Sequence, residues 1–446
     1  MCVRHVHILV RTKGDTKTEE PPTISREKAL LERRNKMGKT GFNRLGWVFV
    51  VLLSFLFLME GYLSPSPTWA QDTIRFGAAL SFTGRASREG RLSRDGMELW
   101  RDVVNKKGGI KVGNKSYKVD ILFYDDESDP KTTAKLVEKL VTDDSIKFVL
   151  GPYGSTPSFA ASAITEKYKA LIVVGMGSAE AIFERGFKYL FGPLTTASYY
   201  LIDSLKLCAA QKPKPETVAI IYKNELFSTQ SAEGGKKVAE DLGFKVVYFE
   251  KYPPDAKDLS SVISIIRAKN PDIYIVSGHF EDSFLAVKQA KELKLNPKVI
   301  IGNVGVATPD FITSLKEDAE YVLGPTQWVP NQKTRDHVFG SAEDYTKLYE
   351  KTYGYTPDYH SAGQTSAALI FQLAIEKAQS LDVDKVRDAM SALDTDSFFG
   401  RIKFNEKGIN VAKGMAVLQI QKGKHVPIYP PAVALGKFIY PKPPWK

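Results

Sequence analysis

Apolar residues along this chain fall into two kinds of pattern. Short, continuous, β-branched runs recur at Thr73–Leu80, Val119–Tyr124, Lys147–Leu150 and Leu171–Val174. A second set follows at Thr217–Tyr222, Lys245–Phe249, Asp272–Ser277 and Lys298–Gly302. A strand with one wet face alternates apolar and polar residues. A continuous run predicts a strand covered on both faces, as in a parallel sheet. Between the runs, apolar residues recur three and four apart: Met97, Trp100, Val103 and Val104; Ala134, Val137, Leu140 and Val141; Leu259, Val262, Ile263 and Ile266. That spacing puts them on one helix face. Strand–helix alternation of this kind predicts βαβ crossovers and an α/β fold.

Two sets of four strands predict two similar lobes. The break falls near Phe191-Gly192-Pro193, ahead of a helix at 197–210. After Tyr321–Gly324, Pro325 and Pro330 punctuate an extended segment. Helices follow at 341–353, 359–380 and 384–393. Gln364–Ala378 is apolar almost all round, so that helix is expected to be buried. The tail 423–446 holds six prolines and is expected to be extended or irregular.

The N-terminal region has a different character. Thirteen nearly unbroken apolar residues, Trp47–Met59, follow Lys39 and Arg44. Ser64-Pro65-Ser66-Pro67 then leads into Thr68-Trp69-Ala70. This is the order of a secretory signal: positive segment, apolar segment, small-residue cleavage site. The run is shorter than the roughly 20 residues of a membrane span. A mature chain beginning near Gln71 is expected. No cysteine follows the cleavage site to carry a lipid, so the periplasm is the expected compartment. Residues 1–36 are polar and basic without apolar periodicity, and Met37 opens a normal signal start. Translation is therefore expected to begin there.

Without its first 70 residues the chain keeps 376 of 446, enough for two cores. It carries 51 basic and 45 acidic residues, a net charge of +6 with both signs mixed. No basic block suited to tracking phosphates occurs, so nucleic acid is not an expected partner. The remaining cysteine, Cys208, cannot form an internal disulfide and sits in an apolar helical pattern, as a small core residue would.

Catalytic and metal signatures are missing together. The chain has no G-x-S-x-G, no H-E-x-x-H, no P-loop and no G-x-G-x-x-G after a strand. His279, His337, His360 and His425 are scattered. No cofactor, metal or enzyme activity is expected. Asp125-Asp126-Glu127 reads as a charged strand-end loop, and Asp129-Pro130 as a helix cap followed by proline. The tyrosines at 345, 349, 353, 355 and 359 read as helix packing. Small polar residues gather instead where the predicted strands end: Ser81–Gly90, Gly151–Thr156 and Gly175–Ala179. Ligands bind open parallel sheets at those ends. Ser155 and Thr156 stand at a predicted helix start, with free N–H groups beside their hydroxyls.

The ordered set IRFGAALSFTG with Gly90 and Asp95-Gly96, NKKGGI (105–110), YDDESDPKTTAKLVEKLV (124–141), FVLGPYGST (148–156) and DSFFGRIKFNEKG (396–408) with GMAVLQI resembles the periplasmic leucine/isoleucine/valine-binding protein family. These are type I solute-binding proteins of ABC importers. The resemblance covers nearly all of 72–425. It implies two Rossmann-like α/β lobes with parallel sheets, joined by a three-strand hinge: an N-lobe of 72–194 plus 331–395, and a C-lobe of 195–330 plus 396–446. It also implies a monomer that binds a small amino acid, amide or carboxylate between the lobes, makes and breaks no bond, and delivers the ligand to permease subunits. The alternative within the fold is a periplasmic sensor for amides or aromatic acids.

The resemblance carries Gly154, Ser155 and Thr156 onto the carboxylate loop. Met176, Gly177 and Ser178 match the loop after the fourth strand, and Phe227 and His279 match the aromatics of the C-lobe. The position aligned with the family's ammonium-binding glutamate is Val304. Around the first loop, Arg85, Arg88 and Glu89 stand where a tyrosine is common. Two ligands follow. One is an amino acid whose ammonium meets Glu89, Glu225 or Asp282. The other, favoured by the missing glutamate, lacks an amine and is neutralised by Arg85 or Arg88.

Overall fold

A computed structural model describes residues 73–445, all within one compact unit, Trp69–Lys446. The expected export signal and the expected start at Met37 lie outside the described residues. No helix among the described residues is long and apolar enough to cross a membrane.

The first sheet contains β1 (Thr73–Leu80), β2 (Ile110–Val112), β3 (Lys115–Asp125), β4 (Phe148–Leu150), β5 (Leu171–Val173) and β6 (Leu190–Phe191), in the order β2-β3-β1-β4-β5-β6. All neighbours are parallel except the β2–β3 pair. β1 shows why the run is continuous: Phe76, Ala78 and Leu80 enter one apolar cluster, and Ala79 enters another across the sheet.

The second sheet contains β7 (Thr217–Lys223), β8 (Lys245–Tyr252), β9 (Ile273–Ser277), β10 (Val299–Gly302) and β11 (Leu323–Thr326). Two short hairpins follow, β12 (Arg335–Asp336) with β13 (Gly340–Ser341), and β14 (Asp394–Ser397) with β15 (Gly400–Lys403). β16 (Ala416–Gln421) and β17 (Lys424–Tyr429) then complete the second sheet in the order β17-β16-β11-β10-β9-β7-β8. β16 and β17 run antiparallel. β17 lies at the edge, the position where Pro427 costs no ladder bond.

Helices Ala342–Tyr353, Tyr359–Ala378 and Val383–Ser391 return to the first sheet's core. Tyr359–Ala378 is buried on nearly every side, as its composition implies. The β14–β15 hairpin also enters this core through Phe398, Phe399 and Ile402. The expected division gave 396–446 to the second lobe. The packing instead keeps 394–404 with the first sheet, because the Phe398 ring stacks on Tyr345 at 4.2 Å. Cys208 is buried in the second lobe, and burial pushes its thiol up to about 12.

The chain crosses between the sheets three times, near 192–197, 326–330 and 410–415. Side chains lace the crossings. Gln327 accepts from Thr195 N at 3.1 Å and donates to Thr195 O at 2.9 Å. Thr195 Oγ1 donates to Lys413 O at 2.9 Å, and the buried Lys413 ammonium donates to Gln327 O.

Helix Ser87–Lys106 lies against the loop after β1. A Cβ on Gly90 would sit 1.8 Å from the Ser81 carbonyl oxygen. Only glycine allows that approach, and it holds the first loop in place. Gly90→Ala is expected to destabilise the protein by about 2 kcal/mol or more. Urea unfolding followed by circular dichroism checks this.

Candidate functional site

Parallel strands bring their following loops to one edge. In the first sheet these are the loops after β1, β4 and β5; in the second, those after β7, β9 and β10. The two edges face each other across a crevice.

Four loops of the first sheet are tied in two pairs there. Ser81 Oγ donates to Asp126 at 2.7 Å, and Thr133 Oγ1 donates to the same carboxylate at 3.0 Å. The acidic loop at 125–127 thus supports the end of β1. Among the described residues no acidic, histidine and cysteine group is arranged to hold a metal ion. Gly154 has φ 91°, in the left-handed region that suits glycine, and its N–H donates to Met176 O at 2.9 Å. It precedes helix Ser155–Lys167. Ser155 Oγ accepts from the N–H groups of Ser178 and Ala179, both at 3.1 Å. Its hydroxyl therefore fastens two loops together. Thr156 Oγ1 is buried and has no hydrogen-bond partner among the described residues. Pro157 adds no N–H to this first turn.

From the second sheet, Glu225 caps helix Leu226–Asp241, accepting from Ser228 N at 2.7 Å and Phe227 N at 3.2 Å. His279 caps helix Phe280–Glu292 and reaches across the crevice: its Nδ1 lies 2.7 Å from Tyr153 Oη, and its Nε2 lies 3.5 Å from Glu225 Oε1. Burial, followed by the charge of Glu89, holds the Tyr153 phenol well above its ordinary pKa. The phenol therefore keeps its proton, and the Tyr153–His279 hydrogen bond spans the crevice beside Glu225. Burial pushes the Glu225 carboxyl up, but hydrogen bonds and charge from His279 and Ser228 outweigh it and bring the group to about 2.

Two spaces open from this arrangement. An inner pocket of about 20 Å³ is walled by Tyr153, Tyr200, Phe227, Val304 and Tyr359, with Met176 and Ser178. An outer cavity of about 830 Å³ shares Tyr153, Gly154, Ser155 and His279 with it, and adds Arg85, Glu89, Thr156, Glu225 and Leu226. The structure thus brings Arg85, Glu89, Gly154, Ser155, Thr156, Met176, Ser178, Phe227, His279 and Val304 to the crevice.

Two nominated residues sit elsewhere. Gly177 lines neither space. A Cβ there would lie 2.6 Å from Ser158 Oγ, so the glycine serves loop–helix packing. Arg88 turns to the opposite lobe. Its Nε lies 2.6 Å from Asp310, its Nη1 lies 2.9 Å from Glu281, and its guanidinium is 3.6 Å from the Phe280 ring centre. Arg85 Nη1 donates to Pro254 O at 2.5 Å, again across the crevice. Both arginines bind lobe to lobe.

Tyr153, Tyr200 and Tyr359 were not among the expected site residues. Tyr153 stands inside the quoted GPYGST run, but an aromatic beside small polar residues reads equally well as packing. Tyr359 belonged to the tyrosine set assigned to helix contacts.

Two α/β lobes joined by three crossings, with facing strand-end loops around a crevice, make the architecture of a bilobal solute-binding protein. Residues 73–424 match the periplasmic binding protein family, and the chain belongs to it. A Brucella abortus Leu/Ile/Val-binding protein homolog is 28% identical over 394 residues, covering 84% of this chain and 95% of its own. The Thermotoga maritima leucine-binding protein LivK has the same fold, with a TM-score of 0.72 at 20% identity over 80% of this chain and 98% of its own. A Rhodopseudomonas palustris solute-binding protein of an ABC transporter, crystallised with benzoate, has a TM-score of 0.69 at 18% identity, covering 80% and 95%.

The Glu225 carboxyl titrates lower when folded than its ordinary 4.5. Its contribution to stability, on the order of 3 kcal/mol, is fully present above about pH 4.5 and is lost as pH falls toward 2. Glu225→Gln should lack this acid-side loss. Urea unfolding midpoints between pH 2.5 and 6 are the check.

Proposed function

We propose that this chain is the substrate-binding component of an ABC importer. It captures a small solute between its lobes in the periplasm and presents the closed form to membrane permease subunits, without making or breaking a bond. The names of the relatives support this reading: a Leu/Ile/Val-binding homolog, a leucine-binding protein and an ABC transporter solute-binding protein. The observation that carries it is the crevice itself. Polar groups from both sheet edges line one space. Solute touching both edges favours the closed arrangement, and hinge motion about the three crossings converts binding into a change of shape.

A thermal-shift screen of amino acids, amides and aromatic acids tests the proposal. A micromolar ligand binds with about 8 kcal/mol, and at a thousandfold excess over Kd it adds about 4 kcal/mol of stability. At least one member of the screen should raise the melting temperature clearly. If none does, and a substrate is consumed instead, the reading fails.

The Arg88 contacts define a second expected outcome. They are partly exposed, so each ion pair contributes about 1 kcal/mol or less, with a similar share from the Phe280 ring. Arg88→Ala should weaken ligand binding by roughly 5–10-fold, mainly through faster release. Small-angle scattering should show a larger radius of gyration for the unliganded variant than for the unliganded parent.

A further inference from the structure

We infer that the crevice is built for a cationic, amine-bearing solute larger than a branched-chain amino acid, with its ammonium held by Glu89. This rests on the solute-binding reading and narrows it.

Size comes first. The lobes already touch through Arg88 with Glu281 and Asp310, through Arg85 with Pro254, and through Tyr153 with His279. The space that remains is therefore that of a clamp already in contact across its mouth. The inner pocket of about 20 Å³ is on the scale of one water molecule. The outer cavity of about 830 Å³ falls in the range of roughly 300–1,000 Å³ that holds drug-sized ligands. Pro157, Phe159 and Leu226 give it an apolar side.

Charge comes second. Five carboxylates line the outer cavity, Glu89, Glu225, Asp255, Glu281 and Asp282, against two cationic side chains, Arg85 and Lys223. Most have partners. Glu225 faces His279, Glu281 meets Arg88, and Asp282 meets Lys223 at 3.4 Å. Asp255 is exposed to water. Glu89 is different: it lines the cavity, the residue is only 3% exposed, and no lysine or arginine among the described residues forms an ion pair with it. Tyr153, Tyr359 and His360 lie near enough to feel its charge, but the imidazole Nδ1 of His360 is paired with Asp358 at 2.9 Å. A carboxylate at the cavity wall with no cationic side chain paired to it leaves its charge uncompensated, and a ligand cation supplies the missing partner. A benzoate-like anion would instead add charge to an acidic wall, while both nearby arginines are engaged between the lobes.

Isothermal titration of the purified chain tests this with four probes: leucyl-leucinamide, spermidine, leucine and benzoate. At least one of the first two should bind more tightly than leucine or benzoate. Glu89→Gln should weaken that binding by roughly thirtyfold or more. Without ligand, Glu89→Gln should melt no lower than the parent, which shows that the loss is not misfolding. Benzoate or leucine binding most tightly, or cationic binding indifferent to Glu89→Gln, overturns the inference while the solute-binding reading stands. Failure of both larger amines to bind overturns it as well. Failure of every solute in the wider screen removes the reading beneath it.

Discussion

Both large sheets are covered on their two faces, and this constraint shapes the rest. A strand such as β1, with Phe76 and Ala79 buried on opposite sides, has no room for polar side chains from Phe76 to Leu80. Where a strand is buried on both faces, polar groups collect where it stops. Parallel pairing puts those stops at one edge, so the chemistry of each lobe collects on a line. Two lobes facing edge to edge then enclose the polar residues of both. The crevice follows from how the strands are buried.

That logic explains why much of the fold was legible. All eight continuous apolar runs are strands, and the helices expected at 341–353, 359–380 and 384–393 are present with small shifts at their ends. β2, β6 and the β14–β15 hairpin were not visible, because β6 is two residues long and the others mix polar residues into three or four positions, leaving no continuous apolar run. The helix expected at 197–210 begins as a single 3-10 turn, Ala197–Tyr199, before Ile202–Ala209. The tail is extended or irregular as expected: Lys424–Tyr429 is an extended edge strand, and 430–445 is irregular.

The site was less legible, for a physical reason. Small residues at strand ends announce themselves: Gly154, Ser155 and Ser178 fall where the pattern put them. Partners do not. Arg88 and Asp310 are 222 residues apart, and nothing local distinguishes an arginine that closes a clamp from one that awaits an anion. Tyr153 and His279 are likewise 126 residues apart, though the pair spans the crevice. Glu89 was one of three carboxylates, with Glu225 and Asp282, that could meet an ammonium. Only burial, and the placement of its arginine neighbours, singles it out.

The three crossings carry a consequence for how the molecule is made. The first lobe's core includes Phe398 and Phe399, and the second sheet lacks β16 and β17 until residues 416–429 are present. Neither lobe is a contiguous stretch of chain. A ribosome must therefore release nearly the whole polypeptide before either half can reach its final packing. Such a chain is well suited to being threaded, unfolded, through a narrow channel.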